Sequence, residues 1–145
     1  MCKVKEMLRR KGDEIHSVAP DAPVLEAIQL MSKEDIGMVL VMEEGKIVGV
    51  YSERDCVHNL AADEGFSLQT PVRQVMTSPV YFVTPEQTME DCMAVMTAKF
   101  IRHLPVLDEG ALVGVISIRD VVEHIILEKD ASIQDLEKFL WVNLI

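Results

Sequence analysis

Two short stretches of this 145-residue chain carry a hydroxyl, a guanidinium and a carboxylate at one spacing: Ser52, Arg54 and Asp55, then Ser117, Arg119 and Asp120. Each closes an apolar run that contains a glycine (Gly49, Gly114) and opens a helical pattern, so each marks a strand turning straight into a helix. Ser-x-x-Asp is a variant of the capping box, and capping alone accounts for the serines and aspartates. It does not account for the arginines. A cation in the first helical turn opposes the helix dipole, and its repetition points to an anion at the helix N-terminus. Hydroxyl, guanidinium and free backbone N–H groups would grip that anion, while the carboxylate would accept hydrogen bonds from sugar hydroxyls. A phosphorylated sugar is the simplest ligand with both features.

The two corners are copies. Residues 15–60 align without a gap on residues 80–125, sixty-five positions on, with 14 of the 46 pairs identical, which is what a duplicated unit leaves behind. Each copy starts with an extended piece (Ile15–Val18, Val80–Val83) ending at Pro20 or Pro85. A helical stripe follows: Val24, Ile28 and Met31 in one copy, Met89, Met93 and Met96 in the other. Methionines so spaced belong to a core rather than a cofactor box. Two apolar runs joined at Gly45 or Gly110 make a hairpin, and the corner and a second helix end the copy. Strand, helix, strand, strand, helix is therefore the unit, an α/β (α+β) arrangement whose small sheet cannot cover both faces alone and gains by pairing with its copy.

Ahead of the first copy, Val4, Met7 and Leu8 recur at helical spacing until Gly12, and the stretch from Val72 to Met76 resembles that lead segment. The basic run Arg9-Arg10-Lys11 within it is expected to be a solvated helix face. The resulting organisation is a first repeat over 1–62, a linker over 63–71, a second repeat over 72–128 and an amphipathic C-terminal helix over 129–145.

A formal net charge of −10 confines any anion site to a local cluster and argues against a nucleic-acid partner. No membrane-length apolar run and no signal-peptide h-region occur, which leads us to expect a cytoplasmic protein. Cys2, Cys56 and Cys92 make no CxxC and are expected as reduced thiols, the last two packing as small apolar residues. The four histidines have no metal-ligand spacing with one another, so no metal is expected. Nor is an enzyme: there is no nucleophile-base-orienter set, no Walker loop and no GxGxxG.

The duplicated unit, the Gly-x-x-Ser-x-x-Asp corners, the Val-x-Pro openings and the stretch Arg102-His103-Leu104-Pro105-Val106 together resemble a tandem pair of cystathionine-β-synthase (CBS) domains, the Bateman module. The resemblance covers about residues 4–128. It implies two tandem β-α-β-β-α repeats packed sheet to sheet with pseudo-twofold symmetry and two clefts. It also implies a regulatory module with no obligatory cofactor, which senses an adenosine-containing ligand (AMP, ADP, ATP, NAD(H) or S-adenosylmethionine) and signals to a partner protein, commonly as a homodimer. On the family pattern Asp55 and Asp120 would meet the ribose, and Ser52, Arg54, Ser117 and Arg119 the phosphate. Ala19 or Thr84, each before an opening proline, would border the base, and Arg102 and His103 resemble a phosphate-contacting pair. Opposite that pair the first copy has only Gly37 and Met38, so the second copy is expected to bind nucleotide more tightly. The competing expectation is a ligand-free homodimerisation module whose corner residues merely cap helices.

Overall fold

Turn chemistry and continuous apolar runs dictate the sheets. In the computed structural model, which describes residues 2–12 and 14–128, Val39, Leu40 and Val41 are buried in succession along one strand, the pattern of a strand covered on both faces. That strand, β2 (Met38–Glu43), lies between β1 (Ser17–Val18), which is parallel to it, and β3 (Lys46–Ser52), which is antiparallel. Helix α2 (Val24–Glu34) precedes β2, and α3 (Glu53–Ala62) leaves β3 without an intervening loop. The hairpin closes at Glu44 and Gly45, both in the left-handed region with φ of 51° and 77°, as a two-residue type I′ turn requires. The second copy repeats the order with α4 (Met89–Lys99), β4 (His103–Asp108), β5 (Ala111–Ser117) and α5 (Ile118–Glu128).

The second copy lacks the opening strand expected over Val80–Val83; a single parallel bridge, Val83 to Val106, stands in its place. The cause is one residue. In the first copy the Leu40 N–H donates to the His16 carbonyl at 3.0 Å, and its counterpart, Pro105, has no N–H to give. What survives is the pair around Val83, whose N–H donates to Pro105 O at 3.0 Å and whose carbonyl accepts from Leu107 N at 2.9 Å. The middle of each helical stripe is also displaced by one residue. Ala27 and Cys92 are fully buried, whereas Met93 is exposed, because the small side chains fit where the helix lies close to its sheet. The expected helix over 129–145 lies outside the described residues.

Packing divides the chain into two units. One contains the described residues of 14–82 and 109–112, and the other those of 1–13, 83–108 and 113–145. Each lead segment thus belongs with the copy that its position in the chain would not suggest. The lead helix α1 (Val4–Lys11) buries Val4 and Met7 among Met89, Leu104, Val106 and Ile116 of the second copy. The N–H groups of Val4 and Lys5 donate to Gln87 O and Pro85 O at 2.8 and 3.1 Å. Lys3 and Lys5 both reach Glu86, at 2.8 and 2.7 Å, and hold its carboxyl down at about 2. In the other unit a 3₁₀ turn, Val72–Gln74, buries Val72 among Val18, Val39, Val41 and Tyr51, and Thr77 exchanges both backbone hydrogen bonds with Val50.

These lead segments explain the corner glycines. A Cβ on Gly49 would lie 2.5 Å from Met76 Sδ and 3.1 Å from the Thr77 carbonyl oxygen, and one on Gly114 would lie 2.6 Å from Leu8 Cδ2. Leu8 can swing its methyl aside, but the Thr77 carbonyl is tied into the sheet. We expect Gly49→Ala to cost about 1–3 kcal/mol and Gly114→Ala clearly less, measured by urea unfolding. Equal losses would mean that lead-segment backbone does not set the limit.

Candidate functional site

Both corners are built alike. Ser52 caps α3: its Oγ accepts from Asp55 N at 3.1 Å and donates to Asp55 Oδ2 at 3.0 Å, and its N–H donates to the same oxygen at 3.0 Å. At the second corner Asp120 Oδ2 accepts from Ser117 N at 2.7 Å and Ser117 Oγ at 3.0 Å. The short serine and aspartate lock each other because the strand ends where the helix begins, which leaves the first-turn N–H groups to be satisfied from outside the helix. Both aspartates therefore tie down backbone, as the capping alternative requires.

The corners differ in what stands over them. Lys11 Nζ lies 2.7 Å from Asp120 Oδ2 and donates to Val115 O at 2.9 Å. The basic run is thus not simply a solvated face: its last residue turns back onto the corner carboxylate, with Asp120 only 10% exposed. Over the first corner, Thr77 Oγ1 donates to Asp55 Oδ1 at 3.2 Å. One aspartate meets a cation and the other a neutral hydroxyl.

The strand facing each corner differs in charge as well. The Ile118 N–H donates to Arg102 O at 2.8 Å, and at the first corner the Glu53 N–H donates to Gly37 O at 3.0 Å. The second corner therefore carries an arginine beside an isoleucine. The first carries a glycine whose absent Cβ would lie 3.2 Å from Glu53 Oε1. A carboxylate there repels an anion, whereas the second corner has Lys11 over its aspartate and the backbone of Arg102 beside its first helical turn.

Not every sequence-predicted residue joins a corner. Arg119 is 83% exposed on its side chain and pairs with Glu123 at 3.2 Å, one helical turn on, which partly explains a cation in that position. Arg54 is exposed on the first turn of α3, and His103 is half-buried at the start of β4. Thr84 N–H donates to Gln87 Oε1 at 2.8 Å, and Ala19, exposed, accepts from Ala22 N–H at 3.1 Å; neither hydrogen-bonds a corner. Sequence reasoning missed Lys11 and Thr77, since both reach their aspartates through a lead segment that crosses to the other copy.

The comparisons fit this duplicated geometry. The family model described as CBS domain matches residues 4–62 and again 72–127. The chain belongs to the CBS domain family. Among curated CBS proteins it is 32% identical over 108 residues to the CBS domain-containing protein YhcV of Bacillus subtilis, covering 74% of this chain and 76% of that one. Among solved CBS structures it is similar to the CBS-domain containing protein ATU1752 from Agrobacterium tumefaciens, at 37% identity and a TM-score of 0.81 over 85% of this chain and 98% of that one. It is also similar to the CBS domain protein PAE2072 from Pyrobaculum aerophilum complexed with AMP, at 27% identity and a TM-score of 0.75 over 87% and 96%. Each CBS repeat accordingly supplies one corner.

No helix among the described residues is long and apolar enough to cross a membrane. The three cysteines of this CBS pair are unpaired, and burial pushes the Cys92 thiol up to about 11.

Proposed function

We propose that this CBS pair is a non-catalytic regulatory module that binds an adenosine phosphate, with AMP as the reference ligand, at the corner of its second repeat. Asp120 takes the ribose hydroxyls, while Ser117, Arg102 and Lys11 take the phosphate; Thr84 and His103 complete the site. The single observation that carries this reading is the cation placed over the corner: Lys11 Nζ meets Asp120 Oδ2, and the exposed Arg102 stands just before β4, its carbonyl receiving the first N–H of α5. Ser52, Arg54, Asp55 and Ala19 form the weaker equivalent, because Glu53 stands where phosphate would approach. The complex of the related PAE2072 with AMP supports adenosine as the base-bearing half of the ligand.

Binding would bias the arrangement of this module, and a partner protein would read the bias as a population shift. The exposed apolar residues of α3, Val57 and Leu60, support a protein partner or a second copy as the listener. A ligand-free module is the second reading, favoured by the completeness with which Asp55 and Asp120 cap their helices.

Thermal melting with AMP, ADP, ATP, NAD and S-adenosylmethionine separates the two. A ligand that binds only the folded state adds about 2.7 kcal/mol of stability at one hundred times its Kd. We expect AMP to raise Tm, and Arg102→Gly, which copies the first repeat, to weaken binding about tenfold or more, since a hydrogen bond to a charged group contributes about 1.5–3 kcal/mol. No shift with any of the five ligands would leave the capping-only module.

A further inference from the structure

One turn beyond Asp120 on α5, the second-copy unit assembles a group of side chains that the corner does not use. Glu90 stands on the first turn of α4, and His124 and Glu128 are four residues apart on α5. His124 Nε2 lies 3.1 Å from Glu90 Oε1 and 3.3 Å from Glu128 Oε1, and the His124 side chain is only 4% exposed. These three donor atoms all lie within 4.8 Å of one another. Two atoms bonded to one tetrahedral metal at about 2.0–2.1 Å stand about 3.3–3.4 Å apart, so the 3.3 Å distance to Glu128 matches the edge of such a site and the 3.1 Å distance to Glu90 needs only a small opening.

A second observation also points to a ligand. Glu90 Oε2 is buried and has no hydrogen-bond partner among the described residues, an arrangement that is costly unless something satisfies the oxygen.

The duplication shows that the fold does not require these residues. Sixty-five positions earlier, Leu25, Asn59 and Asp63 occupy the places of Glu90, His124 and Glu128. There Asn59 Oδ1 accepts from the Tyr51 hydroxyl at 2.8 Å. The counterpart of Tyr51 is Ile116, which is fully buried and has no polar group to satisfy, so position 124 is released for another task. A glutamate and a histidine stand where the first copy has a leucine and an asparagine, and the third position is acidic in both copies.

We propose that Glu90, His124 and Glu128 form a binding site for a divalent transition metal of the zinc type, with water in the fourth position. His124 gives the Nε2 lone pair and each glutamate its Oε1, and the metal-bound water donates to Glu90 Oε2, which satisfies the orphaned oxygen. The metal ties the start of α4 to the end of α5. Glu14, His16 and Glu34 also gather, but at 3.5 and 4.0 Å around a partly exposed histidine; they serve as the control.

The whole chain, stripped with a chelator, is titrated with Zn²⁺ by calorimetry and with Co²⁺ by visible absorption. One equivalent should bind, Co²⁺ should give the intense bands of a tetrahedral site, and saturating Zn²⁺ should raise Tm by about 5 °C or more. His124→Asn, which installs the residue of the first copy, and Glu90→Gln should each weaken uptake by about a hundredfold or more, while His16→Asn leaves it unchanged. Absence of uptake by the wild type, or uptake that survives His124→Asn and is lost in His16→Asn, overturns the proposal. If His124→Asn does not fold in chelator, Glu90→Gln decides.

Discussion

Replacing Asp120 by alanine should lower the unfolding free energy by about 2–3 kcal/mol and remove AMP binding at the second corner in the same step. The stability loss follows from what the carboxylate holds. Oδ2 receives Ser117 N, Ser117 Oγ and Lys11 Nζ at 2.7, 3.0 and 2.7 Å. Truncation strips α5 of its capping partner and leaves the Ser117 N–H without an acceptor. Lys11, 32% exposed, turns to water and the Val115 carbonyl, which keeps the loss below that of breaking a fully buried ion pair.

Asp120→Asn separates the structural role from the binding role. An amide oxygen can still accept from Ser117, so the stability cost should shrink to about 1 kcal/mol. The amide carries no charge to strengthen hydrogen bonds from ribose, so binding should still fall about tenfold or more. Chemical unfolding paired with calorimetry on both variants gives the answer. If Asp120→Asn binds AMP like the wild type, the carboxylate is only a cap; the same measurement on Asp55→Ala should show a smaller change in affinity, because Glu53 and Gly37 flank that corner.

What could be seen in the sequence was whatever depends on neighbours in the chain. The corners, the hairpin glycines and the end of the lead helix at Gly12 rest on local φ preferences and on period, and those show in a single copy. Duplication then doubled the signal. The shortened opening of the second copy was in principle visible at Pro105, since a proline in the middle strand removes one ladder hydrogen bond. Its effect depends on which carbonyl would have faced it, and that is a matter of register.

The larger omissions share one cause. Lys11 lies 109 positions from Asp120, Thr77 22 from Asp55, and Glu90 34 from His124. Such pairs follow from the lead segments joining the opposite copy and from α4 lying beside α5, neither of which leaves a periodic trace. Inspecting histidine spacing alone could not find the group around His124, because its partners are glutamates and one of them is on another helix. An offset comparison would have helped: positions where the copies exchange an apolar residue for a charged one, Leu25 for Glu90 or Gly37 for Arg102, are where the structure places its asymmetry.

Tyr51 tests how far that asymmetry reaches into the core. It is fully buried at the end of β3, next to the corner, and its ring packs among Val18, Val39, Val41 and Val72. Tyr51→Ala should therefore cost about 3–5 kcal/mol, the range for removing a buried aromatic ring. Tyr51→Phe removes only the hydroxyl that donates to Asn59. Asn59 is half-buried and can rehydrate, so the loss should be about 1 kcal/mol. The pair of variants also has a signature in pH. Burial, and after it Cys56, push the Tyr51 phenol above its ordinary value. In alkali the unfolded chain therefore ionises this tyrosine while the folded chain does not, and the stability it contributes is intact below about pH 10 and declines as pH rises beyond it. Urea unfolding at about pH 8 and about pH 11 should show a steeper loss for the wild type than for Tyr51→Phe, with Cys92 adding the same background to both. Parallel losses would place the Tyr51 hydroxyl in contact with water, and the trade of Tyr51 with Asn59 for Ile116 with His124 would no longer explain why a histidine between carboxylates stands at position 124 where the first copy has Asn59.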